Sequence, residues 1–153
     1  MKLLFVCLGN ICRSSAAETI MNQLIEQSSM QNKIQCDSAG IIAVHQGEPA
    51  DSRMRHHASL RGYNITHISR PIEYNDFFDF DLIFAMDDNN WECLCDKAPT
   101  ADCQKKIRHI TDYCTMHNDR YVPDPYYGGA EGFEYVLDLL EDACKGILGK
   151  EIQ

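Results

Sequence analysis

A cysteine, an arginine and a serine lie close together near the start of the chain. Five residues separate Cys7 from Arg13, and Ser14 follows the arginine directly. A short loop at a helix N-terminus points its backbone N–H groups inward and can hold an anion. An arginine can bind two phosphate oxygens at once, and a thiolate can attack phosphorus to form a covalent phosphocysteine. This spacing predicts cleavage of a phosphate ester by a cysteine nucleophile.

The surroundings of this loop strengthen the interpretation. The apolar residues 3–6 predict a strand before the cysteine, and a helical pattern follows the loop. Gly9 and Asn10 tolerate the left-handed backbone angles that a loop around an anion requires. The helix N-terminus and Arg13 would favour the thiolate form of Cys7. A lone cysteine is more often a buried core residue, so the flanking strand and helix are what make the motif specific. The predicted phosphate-binding residues are Leu8, Gly9, Asn10, Ile11, Cys12, Arg13 and Ser14.

A general acid is also required, because an alcohol or phenol leaves phosphorus readily only when its oxygen receives a proton. Asp124 is the best candidate, since a proline on each side holds its backbone rigid. Tyr126 and Tyr127 follow and would form an aromatic wall for a flat leaving group. The segment alone is better explained as an ordinary Pro-Asp-Pro turn. Together with the cysteine loop, the catalytic interpretation is favoured.

Composition indicates one compact domain over residues 1–153. The chain has 44% hydrophobic and 24% charged residues, which is typical of a globular protein with its own core. Its formal net charge of −9 argues against nucleic-acid and anionic-membrane partners. No apolar run approaches the ~20 residues that span a membrane, and the short run before the cysteine loop does not resemble a signal peptide. We therefore expect a cytoplasmic protein.

The eight cysteines are expected to be reduced, because disulfides belong to exported chains. Cys93 and Cys95, with Cys103 nearby, lack the usual two-residue spacing of zinc ligands. We therefore predict no metal and no cofactor. Cys12 keeps two interpretations: it is a small residue packed under the loop, or its thiol condenses with an oxidised Cys7.

Apolar strand-like runs alternate with helical patterns along the chain. This order predicts an α/β fold, a doubly wound, flavodoxin-like four-stranded parallel sheet with helices on both faces. The predicted strands are residues 2–6, 33–37, 81–86 and 107–111, the last at the sheet edge. The predicted helices are residues 14–29, 51–62, 87–96 and 130–148, with 38–40 as a turn and Gly149 ending the last helix. Ligands of such sheets bind beyond the carboxyl ends of the strands, and the cysteine loop lies there.

Three segments resemble the low-molecular-weight protein tyrosine phosphatases. They are residues 6–14, residues 37–40 and residues 124–127. They occur in the order of the family and span nearly the whole chain, so the resemblance is specific. It implies a phosphatase that hydrolyses phosphotyrosine and aryl phosphate monoesters through a phosphocysteine intermediate. The implied partners are a phosphotyrosine-bearing protein or a small aryl phosphate, with inorganic phosphate or vanadate as ligands.

The resemblance also implies roles for individual residues. Cys7 would be the nucleophile, Arg13 the phosphate clamp and Asp124 the general acid. The residues that would support the loop by hydrogen bonds are Asn10, Ser14, Ser38 and His67. The substrate cleft would be lined by Tyr126, Tyr127 and His45.

Two departures from the family are visible. Ser15 stands where the family usually has proline, and Val44 stands where many bacterial-type members have tryptophan.

Two other functions also stay open. An arsenate reductase would share this fold and loop, but its additional cysteines are expected around the third strand, whereas Cys93 and Cys95 come later. The second alternative is a catalytically inactive module that only binds phosphate.

His56 and its neighbours on the second predicted helix indicate a solvated basic face.

Overall fold

A four-stranded parallel sheet forms the centre of the fold. The computed structural model describes residues 1–152. Its strands are β1 (Lys2–Cys7), β2 (Gln35–Gly40), β3 (Leu82–Ala85) and β4 (Ile107–His109). Their order across the sheet is β2-β1-β3-β4, and every neighbouring pair is parallel. The predicted α/β fold is confirmed, with β4 at the edge of the sheet as expected.

Helices cover both faces of the sheet. Within residues 1–152 they are α1 (Arg13–Gln27), α2 (Ser52–Leu60), α3 (Asp76–Asp79), α4 (Asp88–Lys97), α5 (Ala101–Gln104) and α6 (Ala130–Glu151). Two short 3-10 helices, Ile110–Tyr113 and Pro125–Tyr127, lie in loops at the carboxyl edge. None of the helices in this range has both the length and the apolar character that crossing a bilayer requires.

The central strand β1 is buried on both faces. Leu3 and Phe5 belong to the core formed with α1, α2 and α6. Leu4 and Val6 belong to the second core, formed with α3, α4 and α5. Successive side chains of a strand point to opposite faces, so one short apolar run contributes to both cores. This burial fixes the carboxyl end of β1, where the cysteine loop begins.

Residues 38–40, predicted as a turn, form the end of β2 instead. Ser38 and Gly40 both pair with β1 in the parallel ladder. The prediction was wrong because these small residues carry little apolar alternation. Gly40 has little room for a side chain, since a Cβ there would lie 3.1 Å from backbone atoms of Leu8, Gly9 and Ile42. β2 therefore packs directly against the cysteine loop.

Two predictions about helices also need correction. Gly149 does not end α6, which continues to Glu151, because this glycine does not adopt the left-handed conformation that ends a helix.

The basic face of α2 forms ion pairs with acidic residues of α6 and is not simply solvated. The ring Nδ1 of His57 lies 2.5 Å from a carboxylate oxygen of Glu134, and Arg61 forms ion pairs with three acidic residues of α6. Helices α3 and α5 were not predicted, because four residues are too few to show a helical period.

A buried carboxylate on α6 holds the segment that leads toward Asp124. Asp142 accepts hydrogen bonds from the backbone amides of Thr115, Met116 and His117, and also from a ring nitrogen of His117. Burial opposes ionisation, but these bonds outweigh it and lower the pKa of Asp142 to about 2. The ionised carboxylate therefore stabilises the folded state.

Replacing Asp142 by asparagine should lower the free energy of unfolding at neutral pH by about 2 kcal/mol. The folded-state pKa lies below the unfolded value, so this stabilisation is complete above the unfolded pKa and is lost as the pH falls toward the folded one. Urea titrations of wild type and Asp142→Asn should therefore converge between pH 4 and pH 2. The exposed Asp112→Asn is the matched control. A difference that stayed constant down to the acid end would contradict the assignment.

Candidate active site

The cysteine loop (residues 7–14) joins β1 to α1. Asn10, at its centre, has a positive φ of 61° and is 1% exposed. A residue other than glycine rarely adopts this backbone conformation, which costs about 1–2 kcal/mol. Other loop carbonyls are fixed by neighbouring segments: Asp51 N–H donates to Ile11 O at 2.8 Å, and Ser69 Oγ donates to Gly9 O at 3.0 Å. The loop is therefore held from outside at several points.

The side-chain amide of Asn10 is fully hydrogen bonded. Its Nδ2 donates to Ser14 Oγ at 2.8 Å and to Ser38 Oγ at 3.0 Å. Its Oδ1 lies 2.8 Å from His67 Nε2 and accepts the Arg70 N–H at 3.1 Å. These four contacts offset the backbone strain. The structure thus brings together all four residues that the sequence analysis expected around the loop.

His67 is itself surrounded by oxygen atoms. Because the amide nitrogen of Asn10 is used as a donor, its oxygen accepts, and His67 Nε2 must carry a proton. The other nitrogen, Nδ1, lies 3.0 Å from Glu18 Oε1 and 3.4 Å from Asp37 Oδ1. Glu18, Asp37 and His67 place ligand atoms within 4.8 Å of one another, the spacing of a metal site. The carboxylates already have partners, since Glu18 accepts from Ser38 and Asp37 accepts from Arg70. Loop support accounts for the whole cluster.

Arg13 begins α1 and is 2% exposed. Its Nη1 donates to Asp87 Oδ2 at 2.7 Å and to Val122 O at 3.0 Å. Burial alone would lower the pKa of Arg13, but Cys7 and Asp87 outweigh it and raise that pKa, so the guanidinium stays charged. Its buried Nε has no hydrogen-bond partner within residues 1–152. A buried donor of this kind is costly unless it serves a ligand.

Cys7 lies at the floor of the loop, at the carboxyl end of β1. Its Sγ is 3.1 Å from Ser14 Oγ, and the residue is 3% exposed. The N-terminus of α1 faces the same space, so its free N–H groups favour an anion there. The second cysteine of the loop, Cys12, is also buried. Burial, with further contributions from Asp51 and Cys7, raises the pKa of the Cys12 thiol, which keeps it protonated.

The loop opens into a cleft of about 320 Å³. One wall is aromatic, with the Tyr126 and Tyr127 rings 5.0 Å apart. The opposite wall contains His45, whose ring centre lies 6.4 Å from that of Tyr126. The complete lining is Cys7, Leu8, Gly9, Ile11, Cys12, Arg13, Ile42, Val44, His45, Asp124, Tyr126 and Tyr127. The cleft therefore presents an aromatic and mainly apolar lining to a substrate.

Asp124 lines the same cleft as Cys7 and caps the 3-10 helix Pro125–Tyr127. Its Oδ1 accepts the Tyr126 N–H at 3.0 Å, and its Oδ2 is 3.7 Å from Arg13 Nη2. The structure therefore brings Cys7, Arg13 and Asp124 to one cleft, although more than a hundred residues separate the first two from the third.

Sequence reasoning missed Asp87 as a partner of Arg13. Asp87 was predicted at the start of the helix over residues 87–96, and in the structure it caps α4, since its Oδ1 accepts the Asn90 N–H at 2.8 Å. Its other oxygen holds the arginine. The available signal was its position: an acidic residue directly after β3 reaches the same carboxyl edge as the cysteine loop.

An enzyme that transfers phosphate to a cysteine needs a thiol nucleophile, a cation that binds the phosphate and a carboxyl group near the leaving oxygen. This cleft contains a residue of each type. Comparison with known proteins agrees with this class. A family profile described as "Low molecular weight phosphotyrosine protein phosphatase" matches residues 2–153. The chain belongs to this family, whose members are phosphotyrosine hydrolases that act through a cysteine nucleophile.

Relatives with this description occur in distant organisms. The low molecular weight protein-tyrosine-phosphatase of Streptomyces coelicolor is 37% identical and aligns over 96% of this chain and 91% of its own. The human phosphatase is 34% identical, over 97% and 94%. A crystal structure of a protein tyrosine phosphatase from Entamoeba histolytica, with Hepes in its active site, has a TM-score of 0.96 at 50% identity and covers 99% of this chain and 96% of that one.

Asp87→Asn should lower kcat/KM by about tenfold, because a charge-assisted hydrogen bond to Arg13 becomes a neutral one. The loss should be the same for good and poor leaving groups, since Asp87 orients the arginine and carries no proton to the substrate. Rates on a series of aryl phosphates measure this. Asp88→Asn, whose side chain is 87% exposed, is the control. A loss that grew with poorer leaving groups would instead make Asp87 the general acid.

Proposed function

We propose that Cys7, Arg13 and Asp124 carry out phosphotyrosine hydrolysis in two steps. In the first, the Cys7 thiolate attacks phosphorus, a sulfur–phosphorus bond forms, and the ester oxygen leaves with the bonding electron pair and the proton of Asp124. In the second, Asp124 takes a proton from water, the water oxygen attacks phosphorus, and the sulfur–phosphorus bond breaks. The products are the alcohol or phenol, inorganic phosphate and the free thiolate.

Arg13 and the loop amides stabilise the charge on the transferred phosphate. The guanidinium is fixed by Asp87 and Val122 before any substrate arrives, so no reorganisation is needed during the reaction. Its unpartnered Nε is a donor available to a phosphate oxygen. The same cradle would bind inorganic phosphate or vanadate. Ser14 supports the thiolate from 3.1 Å.

The cleft favours an aromatic leaving group. Tyr126 and Tyr127 form one wall and His45 the other, with mainly apolar surface between them. We infer that phosphotyrosine-bearing proteins or small aryl phosphates are the substrates. The thiolate chemistry requires a reduced cysteine, which is consistent with a cytoplasmic location. The observation that carries the proposal is the convergence of Cys7, Arg13 and Asp124 in one cleft.

An arsenate reductase would need, besides Cys12 of the loop itself, additional cysteines around β3 that reach the cleft. Cys93 lies exposed on α4, and neither it nor Cys95 contributes to the lining of the cleft. An inactive module would not need a carboxylate positioned 3.7 Å from the arginine. The phosphatase is therefore the function that the geometry supports best.

Cys7→Ser should abolish turnover of p-nitrophenyl phosphate while inorganic phosphate still binds. A neutral hydroxyl with no adjacent base is a poor nucleophile, yet the loop amides and Arg13 remain. Steady-state rates and calorimetric binding of phosphate measure the two properties. The exposed Cys93→Ser should behave as wild type. Substantial turnover by the Cys7 variant would remove this residue from its role.

Asp124→Asn should slow phenyl phosphate hydrolysis by roughly 10²–10⁴-fold, the usual contribution of a general acid. The loss should be much smaller for p-nitrophenyl phosphate, because that phenolate leaves well without a proton. The basic limb of the kcat/KM profile against pH should also weaken in the variant. Equal losses on both substrates, with an unchanged basic limb, would mean that another group donates the proton.

A further inference from the structure

Arg53 lies on the first turn of α2, outside the lining of the cleft, and contacts the aromatic wall from behind. Its guanidinium carbon is 5.2 Å from the ring centre of Tyr126 and 4.9 Å from that of Phe133 on α6. A cation over an aromatic face at these distances is attracted by the ring. Arg53 therefore packs against the wall of the cleft and against the helix that follows it.

The guanidinium is oriented by a carboxylate that is tied to the cysteine loop. Asp51 accepts Arg53 Nε at 3.1 Å and Nη2 at 3.0 Å, a two-pronged contact. The backbone N–H of Asp51 in turn donates to Ile11 O, inside the cysteine loop, at 2.8 Å. The position of Arg53 is thus set relative to the loop that holds the phosphate.

On the other side, the Tyr126 ring is linked to Asp124 through one residue of backbone. Tyr126 N–H donates to Asp124 Oδ1 at 3.0 Å, so a shift of the tyrosine moves the carboxyl group. The neighbouring Tyr127 is 91% exposed and provides little anchorage, whereas Tyr126 is 38% exposed. The stack on Arg53 is therefore a principal side-chain contact of this segment.

We infer that Arg53 is a positioning residue for the proposed general acid. It fixes Tyr126, and through Tyr126 it fixes Asp124, at a set distance from the cysteine loop. This inference rests on the proposed function, because it assigns to Arg53 an effect that passes through Asp124. A partly exposed cation–aromatic contact is modest, so we expect an effect of about three- to fivefold rather than the large loss caused by removing the acid itself.

The test is kcat/KM for a series of aryl phosphates whose phenols differ in acidity. Arg53→Met keeps the aliphatic stem but removes the charge and the fork. It should lose about three- to fivefold on phenyl phosphate and less than about twofold on p-nitrophenyl phosphate, which steepens the dependence on the leaving group. Arg53→Lys keeps a cation over the rings and should recover part of the loss. Arg55→Met, the same change on the same helix, should follow wild type.

A second variant approaches the contact from the tyrosine. Tyr126→Leu removes the ring that Arg53 stacks on, and it should steepen the leaving-group dependence in the same direction. Combining it with Arg53→Met should add little, because both changes break one contact. Thermal unfolding of each variant identifies those that are folded.

Asp124→Asn in the same series separates this inference from the proposed function. If Asp124→Asn fails to steepen the leaving-group dependence, the assignment of the acid is wrong. If Asp124→Asn steepens it while Arg53→Met leaves it unchanged or lowers all rates equally, only the role of Arg53 is overturned. If Arg53→Lys recovered no more of the lost kcat/KM on phenyl phosphate than Arg53→Met, the role of Arg53 would likewise be overturned.

Discussion

The geometry of the site depends on the strained backbone of Asn10. A left-handed residue in the middle of the cysteine loop turns the surrounding amides inward, and its cost is offset by the four hydrogen bonds of its own side chain. The partners are Ser14 on α1, Ser38 on β2, and His67 and Arg70 from the connection after α2. Because these partners come from three separate parts of the chain, the loop takes its shape only when the whole domain has folded.

The parallel sheet explains why those partners are within reach. β2 runs beside β1 in register, so that Ser38 and Gly40 reach the level at which the cysteine loop begins. Gly40 lets the strand approach closely, since a Cβ would press on the backbone of Gly9. Its N–H then donates to Arg70 O at 2.8 Å, which ties the connection after α2 to the same place. The support of the loop is thus a consequence of the strand order and of the absence of a side chain at Gly40.

The sequence predicted what is local and missed what depends on tertiary contact. The sheet, α2 and the loop between β1 and α1 follow from patterns within a few residues. Nothing local distinguishes Asp87 from Asp124 as neighbours of Arg13, and only the fold shows that the first lies at 2.7 Å and the second at 3.7 Å. The role of Arg53 is equally invisible in sequence, because its aromatic partners are more than seventy residues away. The prediction of a turn at residues 38–40 was wrong because a strand of small residues lacks the apolar alternation by which strands are detected.

Charge at the site resolves an apparent conflict between the acidic protein and its anionic substrate. The net charge of the chain is −9, and Asp87 already neutralises much of the field of Arg13 through a 2.7 Å contact. Asp87 and Val122 occupy only Nη1 of Arg13, so its Nε remains a donor for a phosphate oxygen. Attraction for phosphate therefore comes from this donor together with the loop amides and the N-terminus of α1, which act at short range.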